Sequence, residues 1–242
     1  MRKFSVAKQF EGDLIITPRV SQVMRMFGVD KQRLRNNRKI HSCSIEVADD
    51  DIVYITGPSG AGKSVLLREI QNQIPPDERI CIDDIPLPTN KSVIDCIGVQ
   101  NPNTERCTPS LIEAMRLLSY AGLSEVYHFL TPPANLSEGQ KYRFRLACCL
   151  ASCLGSTPSR DGSGKKIIFA DEFASNLDRI TAGVIAYNVR RFAQRASVTF
   201  FLASSHEDIL ADLQPDVLVV KNFTGPAEVT YKYGKLHHNK KS

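Results

Sequence analysis

The chain has 242 residues, with 31 basic and 26 acidic side chains, a net charge of +5 and 42% hydrophobic residues. That supports one substantial α/β domain with a packed core, whereas two full domains would be crowded. The mildly basic balance permits nucleic acid or an acidic partner without demanding either. No apolar run approaches the roughly 18 residues that span a bilayer, and the start MRKFSVAKQFEGD has no apolar signal region, which predicts a cytoplasmic protein and excludes a channel.

The opening residues read as a short polar start, followed by an extended Leu14 to Ile16. A helix is then expected, with Thr17 as N-cap, Pro18 in its first turn, Val20, Val23, Met24 and Phe27 at helical spacing, and Gly28 ending it. Lys31 to Lys39, KQRLRNNRK, is basic and poor in apolar residues, so it reads as an exposed connector; a nucleic-acid contact is the alternative. From Ile40 the pattern is strand-like: IHSCSIEV, an acidic turn, then DIVYITG stopping at Gly57. The following SVLLREIQNQI predicts a helix that buries Leu66, Leu67, Ile70 and Ile74 and is stopped by Pro75 and Pro76. Apolar runs at Ile80 to Ile82, Ile167 to Ala170, Val198 to Ala203 and Val217 to Val220 lack polar alternation, as strands covered on both faces do. Strands alternating with helices imply a mostly parallel sheet.

Residues 101–155 read as a helical subdomain within a single 1–242 domain: LIEAMRLLSYAGL, a short EVYHFL, and the helix opened by LSEGQ. On that last helix Leu146, Cys149, Leu150, Cys153 and Leu154 fall on one face. Ser156 to Lys166 is a polar Gly/Ser loop. The cysteines at 43, 81, 96, 107, 148, 149 and 153 show no CxxC pair, and the histidines at 41, 128, 206, 237 and 238 have no zinc-type spacing to them. Buried free thiols in a reducing compartment are therefore expected.

Three segments carry chemistry. GPSGAGKS, Gly57, Pro58, Ser59, Gly60, Ala61, Gly62, Lys63 and Ser64, fits G-x-x-x-x-G-K-[ST] between a strand and a helix. Its amides can surround phosphates at a helix N-terminus, with Val65 next in the first turn; Lys63 then bridges phosphates and the Ser64 hydroxyl takes a Mg²⁺ position. KIIFADE ends a strand in two carboxylates, which would place Asp171 near Mg²⁺ and Glu172 near an attacking water. In LSEGQ, Ser137 and Gln140 form an S-x-x-Q capping box, and Gly139 permits close approach of a phosphate, so a helix start and an anion site coincide.

In this order, GPSGAGKS, VQN, LSEGQ, IIFADE, SNLD and SSHED resemble the ABC-type ATPases along the whole chain. The resemblance implies a P-loop α/β fold with a mostly parallel central sheet, a small antiparallel β part and a shortened helical subdomain. It implies ATP and Mg²⁺ as cofactors and ATP hydrolysis within a homodimer that closes head to tail on ATP. Gln100 is then a contact to Mg²⁺ and water; Ser137, Gly139 and Gln140 act across the dimer. Asp171 joins the Mg²⁺ shell, Glu172 is the catalytic base, Asp178 belongs to the loop after it, and His206 contacts the γ-phosphate. Two departures stand out: Glu138 where many members carry Gly, and Phe173 where Pro commonly follows the catalytic Glu. The segment between Gln100 and Leu136 is also shorter than transporter ATPases usually have. RVSQVMRMFGV, LSEGQKYRFRLA and SSHEDILADLQPDVLVV look like soluble ABC-type ATPases that occur alone or joined to a GNAT-type acetyltransferase domain. That implies an unidentified protein partner, an acetyltransferase among the candidates; the membrane-transporter ATP-binding subunit is the alternative. Phe27 is a candidate for stacking on adenine or for closing the N-terminal helix against the core.

Overall fold

The computed structural model describes residues 1–9, 15–30, 40–98, 109–154 and 166–232. Strand β1 (Arg2–Gln9) pairs antiparallel with β2 (Ile40–Val47), placing Phe4 opposite Ile45 and Val6 opposite Cys43. β1 corrects the expectation of a polar start. Phe4 and Val6 are buried while Lys3, Ser5 and Ala7 are exposed, the period of two that a half-buried strand requires.

Six strands form the main sheet in the order β4 (Arg79–Cys81), β5 (Ile167–Ala170), β6 (Thr199–Ala203), β3 (Ile52–Thr56), β7 (Val217–Val220) and β8 (Glu228–Tyr231). All pairings are parallel except β7 with β8. Alternate residues of the central strands feed two cores. Ile52, Tyr54, Ile168, Ala170, Phe200 and Leu202 point to one side, and Val53, Ile55, Phe169, Phe201 and Ala203 to the other. Both faces are covered, which is why these runs are apolar throughout. Strand β8 escaped the sequence reading because it alternates half-buried and exposed residues at the sheet edge. Its neighbourhood is tied to β2 by the Ala227 amide donating to the Ser42 carbonyl at 2.9 Å.

Helix α1 (Pro18–Met26) starts as expected, the Thr17 hydroxyl accepting from the Val20 amide, yet it buries no residue. Phe27 is 74% exposed, so it does not close this helix against the core. Residues 10–14, including Leu14, and 31–39 lie outside the described residues, and Ile15 and Ile16 are not strand. Helix α2 (Lys63–Gln71) buries Leu66, Leu67 and Ile70 against the second core, and Ile74, just beyond it, is buried as well.

A short α3 (Val93–Cys96) precedes α4 (Leu111–Tyr120), α5 (Val126–Leu130) and α6 (Glu138–Cys153). α4 opens on a complete Ser110–Glu113 capping box. α6 is less one-sided than its sequence pattern: Tyr142, Phe144, Leu146, Ala147, Cys148, Cys149, Leu150, Ala151 and Cys153 are all buried, so it runs through the core. Leu154, placed on its apolar face from sequence, lies beyond the helix and is 44% exposed. Burial pushes the thiols of Cys43 and Cys81 up to about 11 and raises Cys96, Cys148 and Cys149, which leaves them inert. No three His, Cys, Asp or Glu side chains among the described residues form a metal-holding group.

Helix α7 (Arg179–Ala196) shares a core with the sheet through Ile185, Ala186 and Val189 and packs on α8 (Leu210–Leu213). It is locked to the sheet by Arg190, whose guanidinium donates to Asp216 at 2.5 and 3.3 Å; Asp216, 2% exposed, also accepts from the Ile52 amide at 3.0 Å. Removing one partner strands a buried charge at the start of two strands. Arg190→Ala is therefore expected to destabilise the protein by about 3–5 kcal/mol, read as a lower urea midpoint.

Candidate functional site

The site gathers at the carboxyl ends of the parallel strands. β3 ends at Thr56, and the next residue, Gly57, has φ +138°; a Cβ there would meet the Lys221 carbonyl oxygen at 2.1 Å, so β7 tolerates no side chain at the loop's entry. At its exit Gly62 has φ +99° and forms the N-cap of α2, lacking a side chain to cap the first amides. No side chain caps those amides, which leaves the helix N-terminus with the open donors that phosphate binding there requires. A Cβ at Gly62 would strike the His41 ring at 2.0 Å, so His41, buried on β2, fits directly against the loop.

Ser59 and Gly60 are exposed at the loop crest, Pro58 is exposed beside them, Ala61 is buried beneath, and Val65 is half-buried in the first turn. The Lys63 ammonium donates to the carbonyls of Gly57 at 2.8 Å and Pro58 at 3.0 Å, folded over its own loop. Burial lowers its pKa, against which the negative charges of Asp171 and Glu172 act. The Ser64 hydroxyl donates to Asp171 Oδ1 at 3.0 Å, and that same oxygen accepts the Glu172 amide at 3.1 Å. Lys63, Ser64, Asp171 and Glu172 are thus brought together from two strand ends more than 100 residues apart. A hydroxyl and a carboxylate already in contact are a hard-oxygen pair of the kind Mg²⁺ takes beside phosphate oxygens.

Glu172 and Ala174 adopt φ +49° and +59° without being glycine. The turn is held on each side. The Phe173 amide donates to the Ala203 carbonyl at 2.8 Å, the Ala174 amide to the Tyr142 hydroxyl at 3.3 Å, and the Ser175 hydroxyl to the Glu172 carbonyl at 2.5 Å. Left-handed non-glycine residues persist only where such surroundings over-determine them. They also account for Phe173: proline has no N–H to give Ala203, and the fully buried ring packs edge-on against Tyr142 at 6.5 Å.

His206 follows β6. Its amide donates to the Ser204 hydroxyl at 3.3 Å, its carbonyl accepts from the Tyr54 hydroxyl, and its half-exposed ring lies 3.9 Å from Asp208. It shares a cleft with Ala174, Leu177 and Arg179, placing it beside the loop after the two acids. Asp178 is the N-cap of α7, its carboxylate accepting from the Thr181 amide at 2.9 Å; hydrogen bonding to the Thr181 side chain, and then to its backbone, lowers the carboxyl pKa. Gln100 lies outside the described residues, as do Cys107, the 156–165 loop and the KLHHNKKS tail.

The LSEGQ capping box forms in full: Ser137 Oγ accepts from the Gln140 amide at 3.4 Å, and Gln140 Oε1 accepts from the Ser137 amide at 3.0 Å. Gly139 is closely approached from within the chain, since a Cβ would lie 3.1 Å from the Asn176 carbonyl. Glu138 is largely exposed and paired with Lys141 at 2.8 Å, which lowers its carboxyl pKa. It lines a polar cleft with Asp83, Tyr142, Arg145, Asp171, Glu172 and Asn176. There burial raises the Asp83 carboxyl, partly offset by Arg145. His41, Tyr54, Asp83, Tyr142 and Arg145 were missed from sequence. Tyr54 and Tyr142 carry no motif in the sequence, and only their hydroxyl hydrogen bonds mark them in the structure.

This arrangement defines a P-loop nucleotide site: a strand, a glycine loop, a lysine over it, and a Ser–Asp pair followed by a further acid. Similarity to known proteins narrows that class. Residues 40–153 match the family model described as ABC transporter. Over 224 residues the chain is 23% identical to the methionine import ATP-binding protein MetN of Vibrio vulnificus, covering 79% of this chain and 60% of that protein. It is 25% identical over 223 residues to the sn-glycerol-3-phosphate import ATP-binding protein UgpC of Psychromonas ingrahamii, covering 82% and 55%. The chain thus spans a little over half the length of these curated relatives. The fold matches the dimeric ATP-binding cassette MJ0796 bound to ADP and Pi, with TM-score 0.59 at 18% identity over 80% of this chain and 92% of that one. A bacterial Atm1-family ABC exporter with ATP bound gives 0.56 at 21%, over 81% and 36%. Residues 40–153 are thus similar to the ABC transporter family, and the fold is that of the ATP-binding cassettes.

Proposed function

We propose that this protein hydrolyses ATP as a head-to-tail homodimer and uses the closing and opening of that dimer to drive a membrane transporter, as its ATP-binding subunit. The observation that carries the reading is the division of the site. Phosphate loop, Ser–Asp pair and Glu172 converge in one chain, whereas among the described residues Ser137 hydrogen-bonds only within its own helix start. A serine, a helix N-terminus and a glycine with no described hydrogen bond to the P-loop of their own chain are suited to the phosphate of a second copy.

In this reading the loop amides and Lys63 bind the β- and γ-phosphates, and Ser64 with Asp171 hold Mg²⁺, which when bound neutralises developing charge on the phosphates. Glu172 orients the attacking water and accepts its proton. His206, fixed by Ser204 and Tyr54, contacts the γ-phosphate, and Asp178 shapes the loop that the partner copy meets. Gln100 completes the contact to Mg²⁺ and water. Little covalent chemistry falls to the protein; positioning and charge do most of it.

The transporter assignment rests on relatives named as import ATP-binding proteins. Exposed apolar residues Leu111, Ile112 and Met115 on α4 offer a face for a partner. A second reading is a soluble ATPase serving another protein, an acetyltransferase included; the Glu138 and Phe173 departures and the short helical segment favour it. Capture on the Glu172→Gln variant with ATP from detergent-solubilised membranes separates them. Recovery of a protein with several spanning helices is expected. A soluble partner recovered without one would favour the second reading.

A further inference from the structure

The LSEGQ helix start is connected to a residue that lies outside the motif. Gln140 Nε2, the amide end not used by Ser137, lies 2.8 Å from His128 Nε2 on α5. An amide nitrogen only donates, so the imidazole nitrogen facing it must be the acceptor: His128 is neutral, with its proton on Nδ1. Hydrogen bonds then run in one direction, from the Ser137 amide to Gln140 Oε1, and from Gln140 Nε2 to His128. Turning the amide over would set its NH₂ against the Ser137 N–H, donor to donor, and break half of the capping box. Removing the acceptor at His128 releases the constraint that prevents this.

The ring is not held from behind. Its Nδ1 is buried and has no hydrogen-bond partner among the described residues, and Glu125, mostly exposed on the same helix, stands 3.7 Å from Nε2. A buried donor left unmet is costly, and the hydrogen bond that offsets the burial of this ring is the one from Gln140. The consequence falls on Ser137. Its hydroxyl oxygen accepts from the Gln140 amide, which leaves the hydroxyl proton available to donate to a further group.

We infer that His128 is a positioning residue for Ser137: its neutral imidazole fixes the orientation of the Gln140 amide, and the capping box so held aims the Ser137 hydroxyl at the γ-phosphate bound by a second copy of this chain. The inference rests on the two-chain site proposed above. It assigns a role in turnover and none in nucleotide binding by a chain's own loop, because α5 contributes nothing to the P-loop contacts described.

Two substitutions separate positioning from packing. Phe keeps a ring of similar shape and loses the acceptor, while Gln gives up the ring and offers an amide oxygen at about the reach of Nε2. His128→Phe is expected to lower kcat about 10- to 100-fold with ATP affinity of the single chain unchanged, the scale of a misplaced contact. His128→Gln should restore kcat to within about threefold of the parent. A structural role would give the reverse order, Phe better than Gln, and would overturn the inference. A measurement on the unaltered protein needs no variant to fold: a two-bond ¹H–¹⁵N spectrum should place the His128 proton on Nδ1 at neutral pH, and a protonated Nε2 would contradict the geometry. Ser137→Ala is the control. If it leaves kcat intact, the two-chain site itself fails; if it lowers kcat while His128→Phe does not, only the role of His128 fails.

Discussion

Glu172→Gln is expected to lower ATP turnover by about 10²–10⁴-fold, the range ascribed to a positioned proton acceptor, while ATP binding survives. The cause is local. Glu172 is exposed at the strand end, beside an Asp171 carboxylate already engaged by Ser64 and by the Glu172 amide itself. Its side chain is therefore the acid not committed to the hydroxyl pair. Glutamine keeps the size and the left-handed backbone, and loses the negative charge and with it the capacity to take a proton. With closure intact and hydrolysis stopped, the ATP-bound dimer should accumulate and elute at twice the monomer mass in size-exclusion chromatography with ATP. A variant that binds ATP and stays monomeric would count against the two-chain cycle.

Ser137→Arg should abolish turnover and leave the single chain's affinity for ATP within about threefold, since no described contact joins Ser137 to the P-loop. The arginine removes the N-cap oxygen, which by itself costs the helix about 1 kcal/mol. α6 is embedded in the core along most of its length, so the fold should survive that loss. What cannot survive is a close fit between two chains at that point. Nucleotide titration by fluorescence and steady-state hydrolysis on the same preparation provide the check, and parallel loss of both would sink the assignment of Ser137 to the facing copy.

Much of the site was legible because its chemistry is local. A glycine loop between strand and helix must present amides, and an acidic pair ending an apolar strand must emerge at the carboxyl end of the sheet, so GPSGAGKS and ADE could be read without any fold. The LSEGQ helix start was legible for the same reason, since both halves of a capping box lie within one turn. β1 and β8 were passed over because strands with one wet face carry little apolar signal. The face assigned to α6 was too narrow because a helix buried on most sides loses its amphipathic period.

What the residues by themselves determined is a glycine-rich P-loop, a hydroxyl at its helix start, two carboxylates ending a strand and a capped helix start, each specified by backbone geometry within a few residues. Only the tertiary structure decided what holds those parts in place. Tyr54 bears on His206, Tyr142 and Ala203 hold the strained turn after Glu172, His41 lies against Gly62, and His128 faces Gln140. Those contacts join elements far apart in the chain, and packing, which no local period records, is what brings them within hydrogen-bonding distance.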